Sequence, residues 1–388
     1  MSLLHLKGRV LVKSGGFSTQ LAKHVGDKVD GDPLWGSRFD KENPEAVMQT
    51  HLDFLEVGAD IIVTNTYQSS VEGFTKHLNL TKEQSIDLMR ESVKLAMQAK
   101  NKYIERLKDC NRHKESGLPL IMGSIGPYGA MLHDGSEYNG SYTEKLTKQE
   151  IQQWHRTRIE AVLSGGVDGL AVETIPCQME AEAVTEMLLE DYPGVKFWVS
   201  FQCKDELHLA HGENFANAAK SVWELIRKAN AVDRLYGIGV NCVNPKFVST
   251  LFQSLHKLLN HEQIPQLIVY SNRGEIYDAT KGEWTGHDKC VPLASYVPEW
   301  VQLQAKIIGG CCRVYPEDIL AIRKCIDNIE DTQAAREDSL TNDEVECTCK
   351  RLRTNSGDVL NTDHNKPVMK PYEMYTHLNR NLAGSAYD

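Results

Sequence analysis

No stretch of the 388-residue chain approaches the ~18 consecutive apolar residues that a membrane span needs. The N-terminus, Met1-Ser2-Leu3-Leu4-His5, has neither the basic start nor the apolar run of a secretory signal. A basic block is missing too: 43 Lys and Arg face 53 Asp and Glu, for a net charge of -10. That balance excludes the electrostatic footprint of general nucleic-acid binding or of attachment to an anionic membrane. A dinucleotide fingerprint is also lacking, because Gly15-Gly16 does not carry the G-x-G-x-x-G spacing. The expectation is a cytoplasmic protein that acts on small molecules, with no nucleic-acid or membrane partner. Cysteine, by contrast, is plentiful at ten residues. In a large chain of a reducing compartment these are buried thiols, metal ligands or nucleophiles rather than a disulfide framework, and their positions decide which.

Buried parallel strands read as continuous apolar runs, and eight such runs occur, over residues 9–13, 60–64, 119–123, 169–173, 196–201, 235–240, 266–270 and 306–309. Segments of helical period lie between them. Asn43 before Pro44 makes an N-cap with proline at the first helical position. At ~150 residues per domain the length suggests two or three domains, but strand and helix alternating eight times closes one (β/α)8 TIM barrel. A doubly wound sheet uses five or six strands and is the weaker alternative. The barrel is expected to be a single domain over residues 1–330. From 331 to 388 an acidic, polar extension with little apolar periodicity reads as a solvated tail, in part able to pack back through residues 368–378.

Barrel active sites lie at the C-terminal ends of the strands. The residues there include Ser14-Gly15-Gly16-Phe17, Asn65-Thr66-Tyr67-Gln68, Ser124, Glu173-Thr174, Cys203, Asn241-Cys242 and Gly310-Cys311-Cys312. Cys242 ends the sixth strand and Cys311-Cys312 follow the eighth, so the fold can bring them together despite ~70 intervening residues. Three thiolates with one tetrahedral position open is the pattern of a catalytic zinc site. Cys203, at the end of the fifth strand, competes for a ligand place, and packing thiols remain the bland alternative. No histidine sits among these strand ends, which argues against a zinc lyase or hydrolase that needs a general base.

Taken in order, Gly15-Gly16-Phe17-Ser18-Thr19-Gln20-Leu21, Asn43-Pro44-Glu45, Gly58-Ala59-Asp60, Thr64-Asn65-Thr66-Tyr67-Gln68, Gly123-Ser124-Ile125-Gly126-Pro127, Glu173-Thr174-Ile175-Pro176, Gly239-Val240-Asn241-Cys242 and Gly309-Gly310-Cys311-Cys312 resemble the homocysteine S-methyltransferase family over residues 8–328. The resemblance implies a (β/α)8 barrel that holds Zn2+ through Cys242, Cys311 and Cys312 and methylates homocysteine to methionine. It also leaves Cys203 as a packing thiol. Glu173 is the candidate partner for the homocysteine ammonium, and the backbone amides of Gly15 and Gly16 for its carboxylate. Ser14, Thr66, Tyr67, Gln68 and Ser124 are expected to line the same pocket, with Tyr67 and Trp35 facing a donor cation. The family's aspartate before the paired glycines is replaced here by Ser14. Loss of one charge-assisted contact costs ~1.5–3 kcal/mol, so a binding-only member or a different thiol or selenol acceptor is the alternative reading. The expected donor is a sulfonium, S-methylmethionine or S-adenosylmethionine, rather than betaine.

Overall fold

In the computed structural model, residues 9–26, 28–109, 117–260, 264–278, 283–286 and 290–349 are described. All eight apolar runs form strands: β1 (Leu11–Val12), β2 (Ile61–Val63), β3 (Leu120–Ile125), β4 (Gly169–Ile175), β5 (Phe197–Phe201), β6 (Leu235–Asn241), β7 (Leu267–Ser271) and β10 (Ala305–Gly310). Each pairs in parallel with its neighbour in the order β1-β10-β7-β6-β5-β4-β3-β2. A parallel bridge between Lys13 and Ile61 joins the two ends of that series, so the sheet closes into the expected (β/α)8 barrel. Between β7 and β10 the chain makes an antiparallel hairpin, β8 (Ile276–Asp278) with β9 (Glu283–Thr285), which the apolar pattern does not announce. The helix before β10 shrinks to Val297–Gln302.

The barrel interior is filled by Leu11, Ile61, Met122, Trp198, Ile268 and Ile307, all buried. A larger apolar layer lies between strands and helices and includes Val172, Val199, Phe215, Leu251 and Ile322. Helix starts follow the local chemistry. The Asn43 side chain accepts from the Ala46 amide at 3.2 Å ahead of helix Pro44–Glu56, and Thr147 with Glu150 forms a reciprocal capping box on Lys148–Ser164.

Helix Pro316–Cys349 closes the fold and runs through the boundary expected at residue 330. Its buried Ile319, Ile322 and Ile326 pack on the barrel, and its Arg323 is 1% exposed. That guanidinium pairs with Asp60 at 2.9 Å and Asp327 at 2.7 Å, while Asp60 also accepts from the Val12 amide at 2.9 Å. The last helix is thereby tied to β1 and to the turn before β2. Residues 331–333 are exposed on this helix. Residues 350–388, including the segment expected to pack back, lie outside the described residues. Among the described residues no helix is long and apolar enough to cross a membrane.

Candidate metal centre and substrate cavity

Cys242, Cys311 and Cys312 converge at the C-terminal mouth of the barrel, with all three sulfurs within 4.8 Å of one another. The Cys242 and Cys312 sulfurs are 3.7 Å apart. Two thiolates of a tetrahedral zinc site at ~2.3 Å from the metal stand ~3.8 Å from each other, so the spacing and the donor set fit such an ion with one position left over. Cys203 is buried elsewhere, at the end of β5, and does not join the group. Hydrogen bonds from Cys242 and Cys312 hold the Cys311 thiol well below its usual range, and the bond to Cys311 pushes Cys242 up. Among themselves the sulfurs therefore favour one anion, and a cation is what lets all three ionise.

Backbone geometry builds this convergence. Cys242 has a left-handed φ of 52° and donates its amide to Tyr270 O at 3.2 Å, which turns its side chain over the barrel mouth. The Cys311 amide donates to Ser271 O at 2.8 Å and the Cys312 amide to the Asn272 side chain at 3.2 Å. The Gly15-Gly16 turn lies directly against this segment. A Cβ on Gly15 would stand 2.4 Å from Val314 O, and one on Gly16 would stand 2.4 Å from Cys311 O. The Gly16 amide donates to Val314 O at 2.9 Å, so it is committed to the turn and cannot serve as the carboxylate donor expected of it.

Below the sulfurs the cavity floor carries opposite charges. Glu173, on β4, is 7% exposed and accepts from the Ser124 hydroxyl. Burial raises its pKa, opposed by the positive charge of Lys13 and by hydrogen bonds from Ser124 and Tyr270. Lys13 follows β1 and is 5% exposed, with its ammonium 3.1 Å from Gly310 O, 3.4 Å from Gly15 O and 4.6 Å from the Tyr270 ring centre. The Tyr270 hydroxyl is fixed in turn by Ser200 at 2.6 Å and by the Trp198 indole at 3.0 Å.

The Homocysteine S-methyltransferase family model matches residues 11–326, a span that includes all three cysteines. The chain belongs to this family. It is thus a homocysteine methyltransferase, similar to the betaine-homocysteine S-methyltransferase of Drosophila melanogaster, with 62% identity over 82% of this chain and 95% of the relative. It is 35% identical to homocysteine S-methyltransferase 1 of Arabidopsis thaliana, over 82% of this chain and 93% of that one. Among solved structures it resembles the metallated form of the homocysteine methyltransferase MmuM from Escherichia coli, with a TM-score of 0.68 and 34% identity, covering 82% of this chain and 97% of that one. The exclusion of the betaine type from the sequence does not stand, because the Drosophila relative carries betaine in its name.

The remaining expected site residues of this homocysteine methyltransferase divide by position. Ser14, Gly15, Gly16, Tyr67, Gln68, Ser124 and Glu173 line one cavity with the three cysteines. Thr66 does not: its hydroxyl donates to Ser124 O at 2.7 Å and meets Thr64 at 2.7 Å, so it braces the wall from behind. Trp35 and Tyr67 meet edge to face with ring centres 6.0 Å apart, and both face the cavity. The sequence reading missed Tyr138, on the turn Ser136–Tyr138, which lines the cavity beside them. Tyr138 is 50% exposed, and the charge of nearby Cys242, local burial and the charge of Cys312 hold its pKa high. Two buried clusters hold these aromatics in place. The Arg158 guanidinium donates to the carbonyls of Tyr67 (2.8 Å), Ser69 (2.7 Å) and Gly126 (2.9 Å), fixing the loop after β2. Glu180 accepts from Tyr142, from the Tyr128 amide at 2.8 Å and from His155 at 2.8 Å, fixing the segment that carries Tyr138.

Proposed function

We propose that the chain transfers a methyl group from an onium donor, betaine foremost, to homocysteine sulfur at a zinc ion held by Cys242, Cys311 and Cys312. The observation that carries this reading is the convergence of three thiols in a cavity that also holds a buried carboxylate and aromatic faces. A bound zinc with one open position supplies the Lewis acidity that lets a thiol of pKa ~8.5 be present as thiolate at neutral pH.

The protein's own groups do the rest. Glu173 takes the homocysteine ammonium, and its carboxylate is aimed by the hydroxyls of Ser124 and Tyr270. Trp35, Tyr67 and Tyr138 present ring faces to the cationic end of the donor, an arrangement suited to a trimethylammonium group. Ser14, Gly15 and Gln68 complete the wall, and Gly16 and Thr66 support it. The sulfur–carbon bond forms as the carbon–nitrogen bond breaks, the electron pair leaves on nitrogen, and a neutral amine departs. No proton moves in that step, so no general base is required, consistent with a cavity whose lining, among the described residues, includes no histidine. Betaine is placed ahead of the sulfonium donors because the 62% identical relative is named for it and because three aromatic residues line the cavity beside the cysteines.

The test is to measure zinc and methionine formation on one purified sample, with homocysteine and, in turn, betaine, S-methylmethionine and S-adenosylmethionine. Methionine from betaine is expected. Turnover with a sulfonium donor alone would overturn the donor assignment, and no methionine from any donor on zinc-loaded protein would overturn the enzymatic reading.

A further inference from the structure

Lys13 is the one cationic side chain, and Glu173 the one carboxylate, among the described residues that line the cavity. Both are more than nine-tenths buried, yet they form no ion pair with each other. An ammonium offers three donors, and the hydrogen-bond partners of Lys13 are two backbone carbonyls, Gly310 O and Gly15 O. One donor of a buried full charge is therefore uncommitted within the cavity. A buried cation that makes no direct ion pair is costly, and burial accordingly lowers the Lys13 pKa, opposed at longer range by the charge of Glu173. Meanwhile the Gly16 amide is spent on Val314, so one of the two turn amides expected to hold that carboxylate is not available to it.

We propose that Lys13 binds the carboxylate of the acceptor amino acid, so that Lys13 and Glu173 together select a zwitterionic thiol. The acceptor then places its sulfur at the three cysteines, its ammonium at Glu173 and its carboxylate at Lys13. This assignment deepens the homocysteine reading and rests on it. Ser14 acquires a rationale in the same terms. With a cation on one side of the acceptor head group and an anion on the other, a second carboxylate at position 14 would stand beside Lys13 and compete for it.

The experiment reads binding rather than turnover, so it is independent of the donor. Zinc-loaded wild type, Lys13→Met and Lys13→Gln are titrated calorimetrically with homocysteine and with 3-aminopropane-1-thiol, the same molecule without its carboxylate. Wild type is expected to prefer homocysteine by about 10- to 150-fold, the range of one charge-assisted contact. Both variants are expected to lose that preference and to bind the decarboxylated thiol as wild type does. Equal weakening of both ligands, or unchanged homocysteine affinity, would overturn the proposal. Lys13→Gln keeps a donor of similar reach without the charge, so a Lys13→Met that fails to fold leaves the test intact. If homocysteine binds in this pattern while no donor yields methionine, the enzymatic reading fails and the Lys13 assignment stands.

Discussion

Replacing Gly16 by alanine perturbs the metal centre from outside its ligand set. Gly16 has φ -74°, which any residue adopts, so the penalty is steric and not conformational. The new methyl would stand 2.4 Å from Cys311 O, 3.2 Å from the Cys311 carbonyl carbon and 3.0 Å from the Thr19 hydroxyl. Thr19 can rotate away, but the Cys311 backbone is tied by its amide to Ser271 O at 2.8 Å and by its carbonyl to the Val314 amide at 3.2 Å. Relief therefore requires the two segments to part by more than ~0.6 Å, with an overpacking cost of ~1–3 kcal/mol. Ligand distances at a metal site tolerate only ~0.2 Å. The strain is borne where the metal-bound state is most demanding, so zinc affinity should fall by about 5- to 150-fold. Competition against a chromogenic chelator measures it, and thermal unfolding of the chelator-stripped protein separates a local effect from a general one. Zinc affinity within twofold of wild type would refute the claim that the glycine turn buttresses Cys311.

Cys311→Ala removes one sulfur of the cluster and should lower the zinc content of purified protein well below one per chain; undiminished stoichiometry would remove Cys311 from the ligand set. Arg158→Met strips the donor from four backbone carbonyls, those of Thr66, Tyr67, Ser69 and Gly126, and should cost ~3–5 kcal/mol in urea unfolding, with a raised KM for the donor; a loss below ~1 kcal/mol would show that the loop after β2 is held by other contacts. His51 is buried against Phe17, ring centres 4.6 Å apart, and burial pulls its pKa from 6.5 to about 3. Between those values the unfolded chain binds the extra proton, so this group's contribution to stability is present above pH 6.5 and lost as pH falls toward 3. His51→Gln should flatten the decline in unfolding free energy between pH 7 and 5, and an unchanged slope would contradict the assignment. Ser14→Asp should weaken homocysteine binding if the new carboxylate competes for Lys13, and tighter binding would favour a simple missing-contact account of Ser14.

Parallel strands buried on both faces carry their signal in consecutive residues, and for that reason all eight barrel strands were legible from apolar runs alone. The order of strands places their C-terminal ends at one mouth, so Cys242, Cys311, Cys312 and Glu173 followed from strand counting and the family resemblance together. Other features depend on contacts between segments far apart in the chain. Lys13 ends an apolar run and looks like its polar boundary, yet barrel closure turns its side chain inward over Tyr270. Tyr138 sits in a polar stretch with no periodicity, and it reaches the cavity because Glu180 and His155 anchor that stretch from a neighbouring layer. Gly16 kept its expected place but lost its expected task to a hydrogen bond with Val314, nearly three hundred residues away. The hairpin of β8 and β9 and the extension of the last helix to Cys349 were likewise invisible, since neither has an apolar face that the sequence displays. By itself, then, the sequence determined the barrel and the sulfur cluster, because local burial and strand order suffice for both. Tertiary structure alone decided which backbone amides and charges remain available to a substrate, because availability depends on what every other segment has already claimed.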